Sequence, residues 1–223
     1  MEQSLTKLSA RLISITQPVV YLQDPTPEGV VAYCARVSNH QHQDKPVGKL
    51  FDYCVRNKHW SIFEMANAVV EVEAPRDISR QLLRHRSFSF QEFSQRYSDE
   101  IAFTDRGLRR QDLKNRQNSV VDEDLPHGYW EDVSSHILRD VEDCYENLIA
   151  EGVAKECARA ILPEGLTMSR LYVNGTLRSW LHYLDVRDDE GVTQWEHVLL
   201  ARKIREVLEP AFPVTFGALN VNP

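Results

Sequence analysis

The densest group of chemically capable side chains lies in RHRSFSFQEFSQRYS, residues 84–98. Its head, Arg84, His85 and Arg86, is cationic, and guanidinium groups bind phosphates or carboxylates in a bidentate manner. If the head is helical, the three side chains point about 100° apart and serve different partners. Two interpretations stay open on residue pattern alone: an anion-binding site, or cations that complement the dipole at a helix end.

The tail of the same segment suits a ligand that has both an anionic group and polar ring edges. Glu92, Ser94 and Arg96 occupy alternate positions, so in an extended chain they project to one side. Phe93 then faces the other way. A solvated strand face is the alternative, but such a face would not need the cationic head beside it.

Other candidates stand outside this segment. His59 and Glu64 follow a predicted helix, where such a pair is more often structural than catalytic. Arg159 interrupts an apolar segment and must reach solvent or an anion. Arg178 and His182 share one helical face, and a charged outer face is the alternative explanation.

Composition limits the class of protein. The chain has 223 residues and a net charge of −7, which predicts one domain over residues 1–223. It has no apolar run of transmembrane length and no signal-peptide pattern at its start, so a cytoplasmic location is expected. Cys34, Cys54, Cys144 and Cys157 are too scattered for a metal clip, so reduced, mostly buried thiols and no metal are expected.

Acidity argues against a dedicated nucleic-acid binder. A non-catalytic nucleotide or RNA-binding protein nevertheless stays an alternative, because residues 105–128 form a polar, predicted loop that carries several cations. The cations concerned are Arg106, Arg109, Arg110, Lys114 and Arg116.

Hydrophobic periodicity predicts the elements that position these groups, and together they indicate an α+β domain. Strands are expected within residues 10–22 and 67–74, where apolar and polar residues alternate. From Tyr129 onward the chain is expected to be mostly helical. Proline and glycine signals place helices before Ser38, between Pro46 and Asn57, and over residues 75–86, 129–152 and 154–162.

Several segments resemble the flavin-dependent thymidylate synthases. Residues 84–98 are similar to the family signature, in which Arg-His-Arg is followed after seven residues by Ser, here Ser94. Matching segments occur in family order: ARVS at 35–38, HWSIFE at 59–64, ARAILP at 158–163, and the region 174–197. The chain is identified on these motifs as a member of that family.

The resemblance implies methylation of dUMP at C5 to give dTMP. Methylenetetrahydrofolate would supply the carbon, reduced FAD the hydride, and NADPH would reduce the flavin again. It also implies a homotetramer with shared active sites. The implied fold is a single α+β domain with a twisted, mostly antiparallel sheet flanked by helices and a helical C-terminal half.

The resemblance also assigns residues. It implies that Arg187 is catalytic, through contact with N3 of dUMP, and that His59 stacks on folate and flavin. The implied dUMP ligands are Gln81, Arg84, Glu92, Phe93, Ser94, Gln95, Arg96, Arg159 and Arg187. The implied FAD ligands are Ser38, Ser61, Arg84, His85, Arg86, Glu92, Asn174, Arg178 and His182.

The role that the resemblance implies for Arg187 is chemically reasonable. C5 of uracil is a poor nucleophile, and none of the cysteines lies in the matched substrate segments, so thiol addition to C6 is not expected. A guanidinium against N3 and O4 would stabilise negative charge that develops on the ring.

Overall fold

A computed structural model describes residues 7–221. A four-stranded antiparallel sheet forms its centre, with the strands in the order β1-β2-β6-β3. A second sheet consists of two very short strands. The strands are β1 (Ser9–Ile15), β2 (Asn67–Pro75), β3 (Ser89–Glu92), β4 (Arg110–Gln111), β5 (Ser119–Val120) and β6 (Met168–Thr176).

The helices lie before, between and after these strands, and most of the C-terminal half is helical. The longest, α4, is predominantly exposed, whereas α6 and α7 each bury one face. The helices are α1 (Pro27–Ala35), α2 (Leu50–Arg56), α3 (Arg76–Leu82), α4 (His127–Ala150), α5 (Lys155–Ala158), α6 (Leu177–Arg187), α7 (Trp195–Leu208) and α8 (Pro213–Val221).

One face of the sheet is buried against helices and the other is largely polar. In β6, Leu171, Val173 and Gly175 face the core while the residues between them are exposed. The polar face carries cross-strand ion pairs, including Arg170 with Glu73 at 2.7 Å. This alternation is the period of two that a half-buried antiparallel strand shows.

Threonine side chains cap the N-termini of α1 and α6. The Thr26 hydroxyl accepts a hydrogen bond from the Gly29 amide at 3.0 Å, and Pro27 follows at the first helical position. The Thr176 hydroxyl accepts from the Ser179 amide at 3.2 Å, so α6 begins directly where β6 ends.

The fold class is confirmed, but several boundaries differ from those predicted. The helix predicted over residues 75–86 ends at Leu82, because the chain must turn there to enter β3. The amides of Arg84 and His85 bond back to the carbonyls of Gln81 and Leu82, which tightens the last turn. The cationic head therefore lies in a turn rather than on a helix.

The prediction of a mostly helical chain after Tyr129 missed β6, the strand that pairs with both β2 and β3. Its asparagine and glycine have low strand propensity and hide the alternation. The predicted helix over 154–162 is short as well. It stops at Ala158, and Arg159–Ile161 forms a 3₁₀ turn.

Candidate active site

Gln81, His85 and Arg187 come together between α3, the turn after it and the end of α6. The Arg187 Nε donates to His85 Nε2 at 3.0 Å. His85 also packs edge-on against the ring of Tyr183, with centroids 5.1 Å apart. The structure thus joins two residues that lie far apart in the sequence and that were assigned to different ligands.

The charge states in this group follow from burial. Burial, with Arg187 and His182 nearby, lowers the pKa of His85 to about 4, so the ring is neutral at pH 7 and its Nε2 accepts a hydrogen bond from the Arg187 Nε–H. Burial also lowers the pKa of Arg187, and Arg84 contributes to that shift. Arginine still remains charged at neutral pH.

Arg187 is partly buried, and the ion pairs described within residues 7–221 leave it without a carboxylate partner. A buried cation whose charge is not neutralised by the protein can stabilise an anion that develops on a bound ligand.

Behind Gln81 lies a buried histidine that the sequence reasoning did not single out. His197, with 0% exposure, contacts Gln81 Oε1 through Nδ1 at 3.2 Å and the Tyr183 hydroxyl through Nε2 at 3.1 Å. Burial lowers the pKa of His197 to about 3, with Arg187 and His85 adding to the shift. The ring is therefore neutral and both nitrogens are satisfied.

Gln81 is also bonded on its other side. Its Nε2 donates to Gln194 Oε1 at 2.7 Å, and Gln194 Nε2 donates to Glu196 Oε2 at 3.0 Å. The buried Glu196 carboxylate pairs with Arg109 at 2.9 Å. The sequence offered one signal for these residues: Gln194 and His197 are three positions apart and so lie on one helical face. Nothing in the sequence indicates that either residue contacts Gln81.

The tail of residues 84–98 is not extended as predicted. Strand β3 ends at Glu92, and the Tyr97 amide bonds to the Ser94 carbonyl at 3.0 Å, so residues 94–97 form a turn. Glu92, Ser94 and Arg96 therefore do not alternate along one strand face. The β3–β6 pairing extends to Glu92 opposite Leu171, and the Phe93 amide donates one further bond to the Arg170 carbonyl before the turn begins.

The tail residues have partners within the chain. Glu92 Oε1 accepts from the Ser169 hydroxyl at 3.0 Å, and Phe93 is tied to β6 through its amide. The Arg96 guanidinium lies 3.3 Å from the Glu156 carboxylate. Gln95, which is buried, accepts from Arg76. Ligand binding by Arg96 thus requires it to leave an exposed ion pair, which costs little.

A cleft of about 1180 Å³ opens beside α6. Its lining includes two of the implied flavin ligands, Arg178 and His182, together with Trp60 and Lys58. Arg178 forms an ion pair with Glu64. Ser61 lies next to that glutamate on the 3₁₀ turn Trp60–Met65 and is exposed.

The remaining assigned residues lie on exposed surface or turns. Asn174 is opposite Ser89 on the sheet and is exposed. His59 packs edge-on against Tyr53, with centroids 5.7 Å apart. Ser38, Arg84 and Arg86 are exposed, and Arg159 is partly exposed at the end of α5.

The basic loop is largely neutralised by the chain itself. Arg106 makes a two-point ion pair with Asp77 at 2.8 and 2.9 Å, and Arg110 pairs with Asp122. Arg109 is held by Glu196. Cations committed to internal carboxylates are poor phosphate ligands, so the nucleic-acid alternative loses its main support.

Within residues 7–221, no cluster of histidine, cysteine, aspartate and glutamate could hold a metal ion. Over the same range, no helix is long and apolar enough to cross a bilayer. The four cysteines are free thiols. Cys54 is buried and Cys34 is partly buried, but Cys144 and Cys157 are exposed, so the expectation of mostly buried thiols was wrong for those two.

Comparisons with known proteins identify the family to which the chain belongs. The family model described as thymidylate synthase complementing protein matches residues 19–214. A flavin-dependent thymidylate synthase of Synechocystis is 44% identical over 216 residues, which cover 96% of this chain and 100% of that protein. A probable flavin-dependent thymidylate synthase of Paramecium bursaria Chlorella virus 1 is 44% identical over 218 residues, or 96% of this chain and 99% of that protein.

Solved structures give the same result. The crystal structure of the UMP/dUMP methylase PolB from Streptomyces cacaoi, bound with 5-Br dUMP, superposes with a TM-score of 0.80. That protein is 26% identical, and the match covers 97% of this chain and 96% of the other. Since a family model matches most of the chain and nearly full-length relatives share 44% of its residues, the chain belongs to the flavin-dependent thymidylate synthase family.

Proposed function

We propose that this protein catalyses the reductive methylation of dUMP at C5 to give dTMP. Methylenetetrahydrofolate supplies the carbon, FAD is the flavin cofactor, and NADPH is the reductant. The observation that carries the proposal is the placement of Arg187, a partly buried guanidinium that has no carboxylate partner within residues 7–221 and is anchored to His85.

In this proposal Arg187 binds N3 and O4 of the pyrimidine. Negative charge that moves onto the ring during attack by C5 is then stabilised by a cation that needs no reorganisation. His85 positions that guanidinium by accepting from its Nε at 3.0 Å. Gln81, Arg84, Glu92, Phe93, Ser94, Gln95, Arg96 and Arg159 complete the proposed dUMP site.

The donor set fits a flavin dinucleotide. Arg84 and Arg86 are exposed cations suited to a pyrophosphate, and the cleft beside α6 adds Arg178 and His182. The flavin supplies the hydride when it is bound. Ser38, Ser61, His85, Glu92 and Asn174 are the other proposed FAD ligands, and His59 is proposed to stack on folate and flavin.

Thiol catalysis has no support in the site. Cys144 and Cys157 are exposed on α4 and α5, and Cys54 is buried with a pKa that burial raises, which opposes thiolate formation. The electrostatic route through Arg187 does not require a thiolate. A homotetramer and a cytoplasmic location stay predictions.

Release of tritium from [5-³H]dUMP tests the proposal. We expect the purified protein to bind FAD, to turn yellow, and to release tritium only when methylenetetrahydrofolate and NADPH are both present. UMP in place of dUMP measures the selectivity for the deoxynucleotide. A FAD-loaded protein that binds dUMP but releases no tritium above a boiled control would overturn the assigned reaction.

A further inference from the structure

The hydrogen bonds around Gln81 form a continuous chain whose direction can be determined. It runs from the buried Glu196 through the partly buried Gln194 and Gln81 to the buried His197. Glu196, as the carboxylate partner of Arg109, can only accept hydrogen bonds. Gln194 must therefore turn its NH₂ group to Glu196, across 3.0 Å, and its oxygen to Gln81. The negative charge of Glu196 thus fixes the orientation of the Gln194 amide.

The same logic fixes the remaining links. Because Gln194 offers an oxygen, Gln81 must turn its NH₂ toward it, across 2.7 Å. The Gln81 oxygen then faces His197 Nδ1, which must carry the ring proton, at 3.2 Å. His197 Nε2 is left as an acceptor for the Tyr183 hydroxyl at 3.1 Å.

We propose that Glu196, acting through Gln194, and His197 are positioning residues that hold the Gln81 amide in one orientation for the pyrimidine. This inference rests on the proposed function, in which Gln81 binds dUMP. A glutamine can present either a donor or an acceptor at a given point, and a site that recognises one ring edge needs only one of them.

Burial makes this arrangement specific. Glu196 is 3% exposed and His197 is 0% exposed, so water does not replace a lost partner readily. Reversing Gln81 would set its oxygen against the Gln194 oxygen at a partly buried link. Such an unsatisfied pair is costly, so the reversed orientation is disfavoured.

The chain of hydrogen bonds also meets Arg187 at its far end. The Tyr183 hydroxyl donates to His197, and the Tyr183 ring packs against His85, whose Nε2 accepts a hydrogen bond from Arg187. Tyr183 thereby connects the group that holds Gln81 with the group that holds Arg187. Gln81 and Arg187, the two proposed pyrimidine contacts, are therefore both held in place through residues that contact Tyr183.

Glu196→Gln in the full-length, FAD-loaded protein tests the proposal, with dUMP binding measured by calorimetry. The new amide can donate or accept, so the hydrogen bonds from residue 196 to Gln81 are no longer held in one direction. We expect the dUMP dissociation constant to rise about 10-fold, with KM rising likewise and kcat changing by less than about 3-fold. FAD affinity is expected to stay unchanged. Glu206→Gln, an exposed change on the same helix, is the matched control.

A double-mutant cycle separates positioning from general damage. In a Gln81→Ala background, Glu196→Gln is expected to change dUMP affinity by less than about 2-fold, because the residue through which it acts is gone. An equal loss with and without Gln81 would overturn the inference, as would full affinity in Glu196→Gln. If Gln81→Ala alone leaves dUMP affinity unchanged, then Gln81 is not a ligand, and its role in the proposed function falls as well.

Gln194→Met is the second variant, for use if Glu196→Gln does not fold. It cuts the chain of hydrogen bonds while it leaves the Arg109–Glu196 ion pair in place. The same loss of dUMP affinity, and the same disappearance of that loss in the Gln81→Ala background, are expected. Undiminished dUMP affinity in this variant would overturn the inference independently.

Discussion

At the residue scale, the position of the signature depends on a glycine that is remote from it in sequence. Phe88 packs directly on Gly175, where an added Cβ would lie 2.2 Å from the Phe88 ring. Phe88 also contacts Trp180, with centroids 4.5 Å apart, and Tyr183 at 6.0 Å. The ring is thereby fixed between the sheet and α6, and it holds the turn that carries Arg84 and His85.

Gly175→Ala should therefore destabilise the fold. We expect a loss of about 1–3 kcal/mol in the free energy of unfolding, because the methyl group overpacks a rigid aromatic contact. Urea denaturation followed by circular dichroism measures it. Gly128→Ala, where an added Cβ meets nothing within 4 Å, is the control and should be neutral or mildly stabilising. Equal stability of the two variants would show that the contact is not tight.

Arg187→Ala should separate catalysis from cofactor binding. We expect kcat to fall at least about 100-fold, because the charge that stabilises the developing anion is lost. FAD should remain bound, since Arg187 is assigned to the pyrimidine. Tritium release and flavin absorbance are the two measurements, and Arg139→Ala, an exposed change on α4, is the control. Normal turnover in Arg187→Ala would remove the residue from the mechanism.

At the element scale, α3, α6 and α7 meet around His197. The histidine is contributed by α7, Gln81 by α3 and Tyr183 by α6. Burial keeps the His197 ring neutral, so protonation of this ring would destabilise the packing of the three helices. Low pH is therefore expected to destabilise the protein at the junction of these three helices.

The sign of the pH effect follows from linkage. The pKa of His197 is about 3 in the folded protein, against about 6.5 in the unfolded chain. Stability is present above pH 6.5 and is lost as the pH falls toward 3, because only the unfolded chain takes up the proton. His197→Gln should flatten that dependence by up to about 1.4 kcal/mol per pH unit.

Urea unfolding at pH 7, 6 and 5 gives the measurement, read as the slope of the free energy of unfolding against pH. His136→Gln changes an exposed histidine on α4 and serves as the control. If the slopes of His197→Gln and the unaltered protein coincide, the folded histidine is already protonated and the assignment of its neutral state is wrong.

The elements also show what the sequence could predict. Strong alternation in β2 and the proline at the start of α1 were recognisable because they act within one segment. Strand β6 was missed because its asparagine and glycine obscure the alternation of its buried and exposed residues. The contact of Gln81 with His197 spans 116 positions, and no local periodicity encodes a contact at that separation.

At the scale of the whole molecule, the proposed flavin ligands lie mainly on exposed surface. Ser38, Ser61, Arg86, Asn174 and His182 are all exposed in the single chain. A cofactor held by exposed polar groups alone would exchange with solvent. This distribution favours the predicted homotetramer, in which surfaces of several subunits meet around each flavin.

The tetramer prediction can be checked by light scattering combined with chromatography. Since the chain mass is 25.8 kDa, we expect an assembly of about four times that mass. Dilution that dissociates the assembly should release FAD in parallel, because the site loses its other walls. A monomer that retains FAD at the same affinity would show that each site is complete within one chain.

The junction between β6 and α6 has a consequence for how such chains can change over time. Thr176 ends the strand and caps the helix, so no loop absorbs a change in length. From Arg178 to Arg187 the helix rises about 13.5 Å, and one inserted residue would turn Arg187 by about 100°. With these proposed roles, helix α6 sets the distance between the flavin contact at Arg178 and the pyrimidine contact at Arg187. Its exposed residues other than Arg178 and His182 can be exchanged readily, but an insertion or deletion within the helix would separate the two proposed contacts.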